Sequence, residues 1–141
     1  MIILDTDHVS ALQAEGGELR DALVQRMRCS SDRNFAVTVI TLEEQMKGWM
    51  AEINHTLDFA RQVGSYRRLA GMFAFFSALN VLHFDEVAAE KTIGLRKAKV
   101  RIGTMDLKIA SIALSQDVLL LTANARDFAQ VPGLRFENWL H

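Results

Sequence analysis

Five short apolar runs, each separated from the next by helix-patterned sequence, constrain this chain more than any other feature. Residues 2–4 (IIL), 35–40 (FAVTVI), 81–84, 118–121 and 134–137 read as strands, the last entered through the Pro132-Gly133 turn. Between them, helices are expected over 18–28, from Thr41 onward, over 56–79 with breaks at Gly64 or Gly71, over 85–99 and over 105–115. Thr41 and Glu44 have capping-box spacing, and residues 124–128 read as a turn or short helix. Strands that alternate with helices imply a parallel sheet covered on both faces. The fold class expected is α/β, in three layers with a central parallel sheet, and residues 1–141 are expected to form one domain. With half of its 141 residues hydrophobic, the chain can bury a core of that size.

Charge excludes little. Sixteen basic and 17 acidic residues leave a net −1, which by itself indicates neither a nucleic-acid nor a membrane binder. The single cysteine, Cys29, allows neither an internal disulfide nor a cysteine zinc site. No apolar run reaches the ~20 residues of a membrane helix. The first residues lack a basic leader, so a cytoplasmic location is expected.

The positions of the acids carry the chemistry. Asp5 ends the first strand, Glu44 lies in the first helical turn after the second, Asp106 opens the helix near Thr104, and Asp127 follows the fourth strand. Open parallel sheets gather their sites at the carboxyl ends of strands. Singly, each acid is explained as a helix cap, a favourable first-turn charge or a solvated turn residue. Jointly they form a cluster that repels itself unless a cation neutralises it. Oxygen ligands without a Cys or His cluster favour Mg²⁺ or Mn²⁺, and such a site suits phosphodiester hydrolysis. Lys91, Arg96, Lys97, Lys99 and Arg101 form an acid-free stretch before Asp106, while Arg61, Arg67 and Arg68 form a second basic group. Arg96, Lys97, Lys99 and Arg101 are the candidates for holding RNA phosphates.

Four segments together resemble the VapC-like toxins, which are PIN-domain ribonucleases. They are LDTDHV (4–9), VITLEEQMKG (39–48), RIGTMDLKIA (101–110), and LLTANARDF (120–128) followed by VPGL (131–134) and ENW (137–139). The resemblance implies a three-layer α/β/α fold, Mg²⁺- or Mn²⁺-dependent RNA cleavage, a cognate antitoxin and a homodimer. It places Asp5, Glu44 and Asp106 as catalytic, metal-holding acids, with Glu43 the lesser alternative to Glu44. Thr6 and Thr122 fall where the family places hydroxyls. Asp7 stands where Asn is commoner, and the fourth site residue is either Asn124 or Asp127.

Two other readings compete. Asp5-Thr-Asp7 after an apolar strand resembles the first motif of haloacid-dehalogenase-type phosphatases, with Asp5 as nucleophile, but the later motifs of that class are missing. A non-catalytic PIN-like binding module would be expected to lack the first or third acid. His8, His55, His83 and His141 have no metal-like spacing and read as surface or packing residues. Cys29 reads as an inert thiol, and Trp49 and Trp139 as packing anchors. Residues 69–79 (LAGMFAFFSAL) are apolar around most of a helix, as core burial or a dimer surface requires.

Overall fold

A computed structural model describes residues 1–141. Its elements run β1 (Ile2–Leu4), α1 (Thr6–Gln13), α2 (Glu18–Cys29), β2 (Phe35–Thr38), α3 (Val39–Asn54), α4 (Phe59–Ser77) and β3 (Asn80–Leu82). They continue with α5 (Glu86–Lys97), α6 (Thr104–Gln116), β4 (Leu119–Leu121), α7 (Ala125–Phe128) and β5 (Phe136–Glu137). The strands form one sheet in the order β3-β2-β1-β4-β5, and every pairing is parallel. The three-layer α/β/α architecture is therefore present, and no helix is long and apolar enough to cross a membrane.

Alternation along the strands divides the core in two. Ile3, Ala36 and Leu120 face a cluster with Leu107, Ile109, Ala110 and Ile112 of α6. Ile2, Leu4, Val37 and Leu121 face the other side, with Val9 of α1, Leu23 of α2, and Met72 and Phe76 of α4. Each fully buried aliphatic side chain of this kind contributes roughly 1.5–3 kcal/mol.

Several boundaries differ from expectation. Strand β2 stops at Thr38, not at residue 40, because the Thr38 hydroxyl accepts the Thr41 N–H at 3.2 Å and caps α3. The capping box expected between Thr41 and Glu44 is thus replaced, and the Glu44 carboxylate is released for another contact. Helix α4 passes through Gly64 and Gly71 unbroken. Only part of the 69–79 stretch enters the core: Met72 and Phe76 are buried, whereas Phe73 stays 59% exposed.

Candidate active site

Strand order reverses between β1 and β4: β2 and β3 follow on one side, β5 on the other. At such a switch point the loops leaving the two strands diverge and open a crevice at the carboxyl edge. Asp5 leaves β1 there, and Thr122 leaves β4 beside it. The Thr122 hydroxyl donates to Asp5 Oδ2 at 2.7 Å, and the Thr6 N–H donates to Asp5 Oδ1 at 2.7 Å, which makes Asp5 the N-cap of α1.

The other acids arrive from separate elements. Glu44 lies on α3, where its Oε1 accepts from the Thr6 hydroxyl at 3.0 Å; that hydroxyl also meets the Thr41 hydroxyl at 3.1 Å. Asp106 lies in the first turn of α6. The Asn124 amide donates to Asp106 Oδ2 at 3.2 Å and to Asp127 Oδ2 at 3.1 Å. The amide thus lies between two carboxylates, and Asn124 and Asp127 are in direct contact. Glu43 points elsewhere and pairs with Lys47 at 3.0 Å.

Proximity shows in the protonation behaviour. Burial pushes Asp5 up to about 7, reinforced by the Asp7 and Asp106 charges and opposed by the bonds from Thr122 and Thr6. Burial also raises Glu44 against its bond from Thr6, with Asp106, Glu43 and Asp7 adding to the rise. Asp106 is raised by burial and by the Asp127 charge, and the Asn124 amide opposes this. Asp7 behaves oppositely. Burial would raise it, but hydrogen bonds from His8 and from the Ala123 N–H outweigh burial and hold it low.

This donor set suits a hard divalent cation. It offers oxygen atoms only, and none of Asp5, Glu44, Asp106 or Asp127 is ion-paired with a Lys or Arg. No three acidic, histidine or cysteine side chains form a ready-made ligand set, however. The carboxylates are parted between the Asp5–Thr122, Glu44–Thr6 and Asp106–Asn124–Asp127 groups. Mg²⁺ commonly binds through one or two carboxylates and retains several waters, so a complete protein cage is not required.

Two sequence readings gain detail. Of the two readings open to His8, surface or packing, it takes the second: it is fully buried and also hydrogen-bonded at both ring nitrogens, to Asp7 and to the Trp139 N–H. No spacing rule reveals this, because one partner is a backbone group 131 positions away. Arg96, a candidate for holding RNA phosphates, is exposed, and its guanidinium also donates to the Val100 and Ile102 carbonyls at 3.4 and 3.1 Å and to the Thr104 hydroxyl at 3.0 Å. It secures the connection in which Lys99 takes a left-handed φ of 63°. Lys97, Lys99 and Arg101 are exposed as well.

No protein-family model matches the sequence. Over 77 residues the chain is 38% identical to the tRNA(fMet)-specific endonuclease VapC of Shigella flexneri; the match covers 52% of this chain and 58% of that protein. The chain thus spans little more than half the length of the curated relatives it matches. Similarity of structure extends further. The fold is similar to that of DNA-bound VapBC from Salmonella typhimurium, with a TM-score of 0.71, 28% identity, and coverage of 98% of this chain and 97% of that one. It is also similar to a member of the VapBC family of toxin–antitoxin systems from Mycobacterium tuberculosis, with a TM-score of 0.60, 25% identity, and coverage of 96% and 94%. In sequence and in fold, then, this chain resembles the VapC ribonucleases, and its architecture is the three-layer PIN-like one.

Proposed function

We propose that this protein is a metal-dependent endoribonuclease, the toxin of a toxin–antitoxin pair. The observation that supports this reading is that Asp106 lies near enough to raise both Asp5 and Glu44 by its charge, and that none of the three is ion-paired with a Lys or Arg. Asp5, Glu44 and Asp106 would hold Mg²⁺ or Mn²⁺, with Asp127 at the margin. When bound there, such a cation would lower the pKa of a water and would neutralise charge on the scissile phosphate.

The chain's own groups perform the remaining tasks. Thr122 and the Thr6 N–H fix both oxygens of Asp5, so the carboxylate keeps one orientation. Thr6 aims Glu44 into the same crevice. Asn124 shields Asp106 from Asp127 without adding charge. Arg96 and Lys97 at the end of α5, with Lys99 and Arg101 on the connection leading to α6, are the candidates for drawing the RNA backbone toward Asp106.

The names of the relatives supply the biological context. A tRNA is the first substrate to try, since the Shigella relative is named for one. Solved relatives are VapBC assemblies, so an antitoxin is the expected partner. The exposed Phe73 and its neighbours on α4 are the proposed site of homodimer contact. The phosphatase reading fares worse. Its acid/base would be Asp7, whose two oxygens already accept from His8 and Ala123.

Purified protein incubated with tRNA should cleave it in Mg²⁺ or Mn²⁺ and stop on addition of EDTA. Cleavage that resists EDTA, or that survives Asp5→Asn, contradicts the reading.

A further inference from the structure

His8 lies on α1 with no exposed surface, between the acid crevice and the segment after β5. Its Nε2 is 3.1 Å from the backbone nitrogen of Trp139. A backbone N–H only donates, so Nε2 must accept and carries no hydrogen. The ring hydrogen therefore sits on Nδ1, which donates to Asp7 Oδ1 at 2.6 Å.

Asp7 uses its second oxygen as well. Oδ2 accepts the Ala123 N–H at 2.8 Å. Ala123 is flanked by the two residues that orient the acids: Thr122, bonded to Asp5, and Asn124, bonded to Asp106 and Asp127. The Thr122 hydroxyl also accepts the Asn124 N–H at 3.1 Å, which closes the turn on itself.

The far end of the chain of contacts is anchored too. The Asn138 carbonyl accepts from Arg26 of α2 at 2.8 Å, and the Trp139 indole donates to Glu137 at 2.6 Å. The Trp139 ring meets Phe35 of β2 edge-on, with centroids 6.2 Å apart. The Trp139 N–H is therefore fixed in space before His8 reaches it.

We infer that His8 and Asp7 are positioning residues, forming a staple from Trp139 through the imidazole and the carboxylate to the 122–124 turn. The staple holds Thr122 and Asn124 where they aim Asp5 and Asp106. It rests on the metal-site reading proposed above. Asp7 acts here through the turn, by the hydrogen bonds that its two oxygens accept from His8 and from the Ala123 N–H.

Tautomer-resolved ¹⁵N NMR of the imidazole tests the geometry on the intact protein. His8 is expected as the Nδ1–H tautomer at neutral pH; an Nε2–H ring or an imidazolium overturns the staple. Variants test the consequence. His8→Ala should weaken Mn²⁺ affinity and slow cleavage about tenfold, the scale typical of partners that orient metal ligands, with KM for RNA unchanged. His8→Asn keeps only a donor near the old Nδ1 for Asp7, and His8→Gln keeps only an acceptor for Trp139, so each breaks the staple at one link and neither should recover that loss. Wild-type Mn²⁺ affinity in either variant contradicts the staple.

Should these variants fail to fold, hydrogen exchange at the Ala123 amide in Asp7→Ala replaces them. Faster exchange than in the wild type supports the staple, and unchanged exchange refutes it. Wild-type protein that neither binds Mn²⁺ nor cleaves RNA removes the functional reading alone, because tautomer and amide exchange still judge the staple.

Discussion

The two sides of the crevice are built differently. On the β1–β4 side, Asp5 is buried, both its oxygens are bonded, and its backbone N–H donates to the Leu121 carbonyl of β4 at 2.9 Å. On the α6–α7 side, Asp106 and Asp127 are half-buried and share a single amide, Asn124, carried by a turn. One side is a floor set by strands and the other a wall joined through one turn amide. On the proposed reading, the orientation of Asp5 comes from the floor, and the wall carries the remaining acids that would meet an ion and a phosphate. Removing a group from the floor should therefore cost more activity than removing one from the wall.

Asp5→Asn gives the largest effect expected, a loss of cleavage on the order of 10²–10³-fold, as when a preorganised electrostatic group is removed. The same change should raise the melting temperature of metal-free protein at neutral pH, because a buried charge disappears. Thermal melts across pH test the cause. The folded Asp5 titrates near 7 and an ordinary aspartate near 3.8, so the folded state binds more protons between those values. Metal-free protein should lose stability as pH rises from about 4 to about 7, by a few kcal/mol, and level off above that. Asp5→Asn should flatten that decline.

Next in size is the wall. Asn124→Ala leaves Asp106 and Asp127 without the amide between them and should reduce cleavage about tenfold. Asp127→Asn should matter least, because an Asn side chain still offers an oxygen to the Asn124 amide. A few-fold weaker Mn²⁺ affinity at unchanged melting temperature is the expected result. A larger effect for Asp127→Asn than for Asn124→Ala would reverse the order of the wall.

Much of this layout was legible in the residues. Apolar runs around Ile3, Val37 and Leu120 marked the strands, and the acids that follow them marked the carboxyl edge. Helix starts were harder, since Thr38 and Thr41 both have cap chemistry and only the burial of Ile40 decides between them. His8 and Arg96 both satisfy backbone groups, which a charge pattern does not encode. The backbone partner of His8 is brought near by tertiary folding, whereas those of Arg96 lie four and six residues along the chain. Their difference gives a smaller test. Replacing Lys97, Lys99 and Arg101 together by Ala should flatten the salt dependence of RNA binding, with stability unchanged. Arg96→Ala should instead lower stability by about 1–3 kcal/mol through the carbonyls it abandons.

Calorimetric titration of the protein with Mn²⁺ at pH 6 and pH 8 tests the central claim most directly. An ion held by Asp5 must displace the proton that burial keeps there below pH 7. The account predicts a saturable site that releases about one proton per ion at pH 6 and far less at pH 8, and that is lost in Asp5→Asn. Absence of a Mn²⁺ site, or a site that persists undiminished in Asp5→Asn, would contradict it.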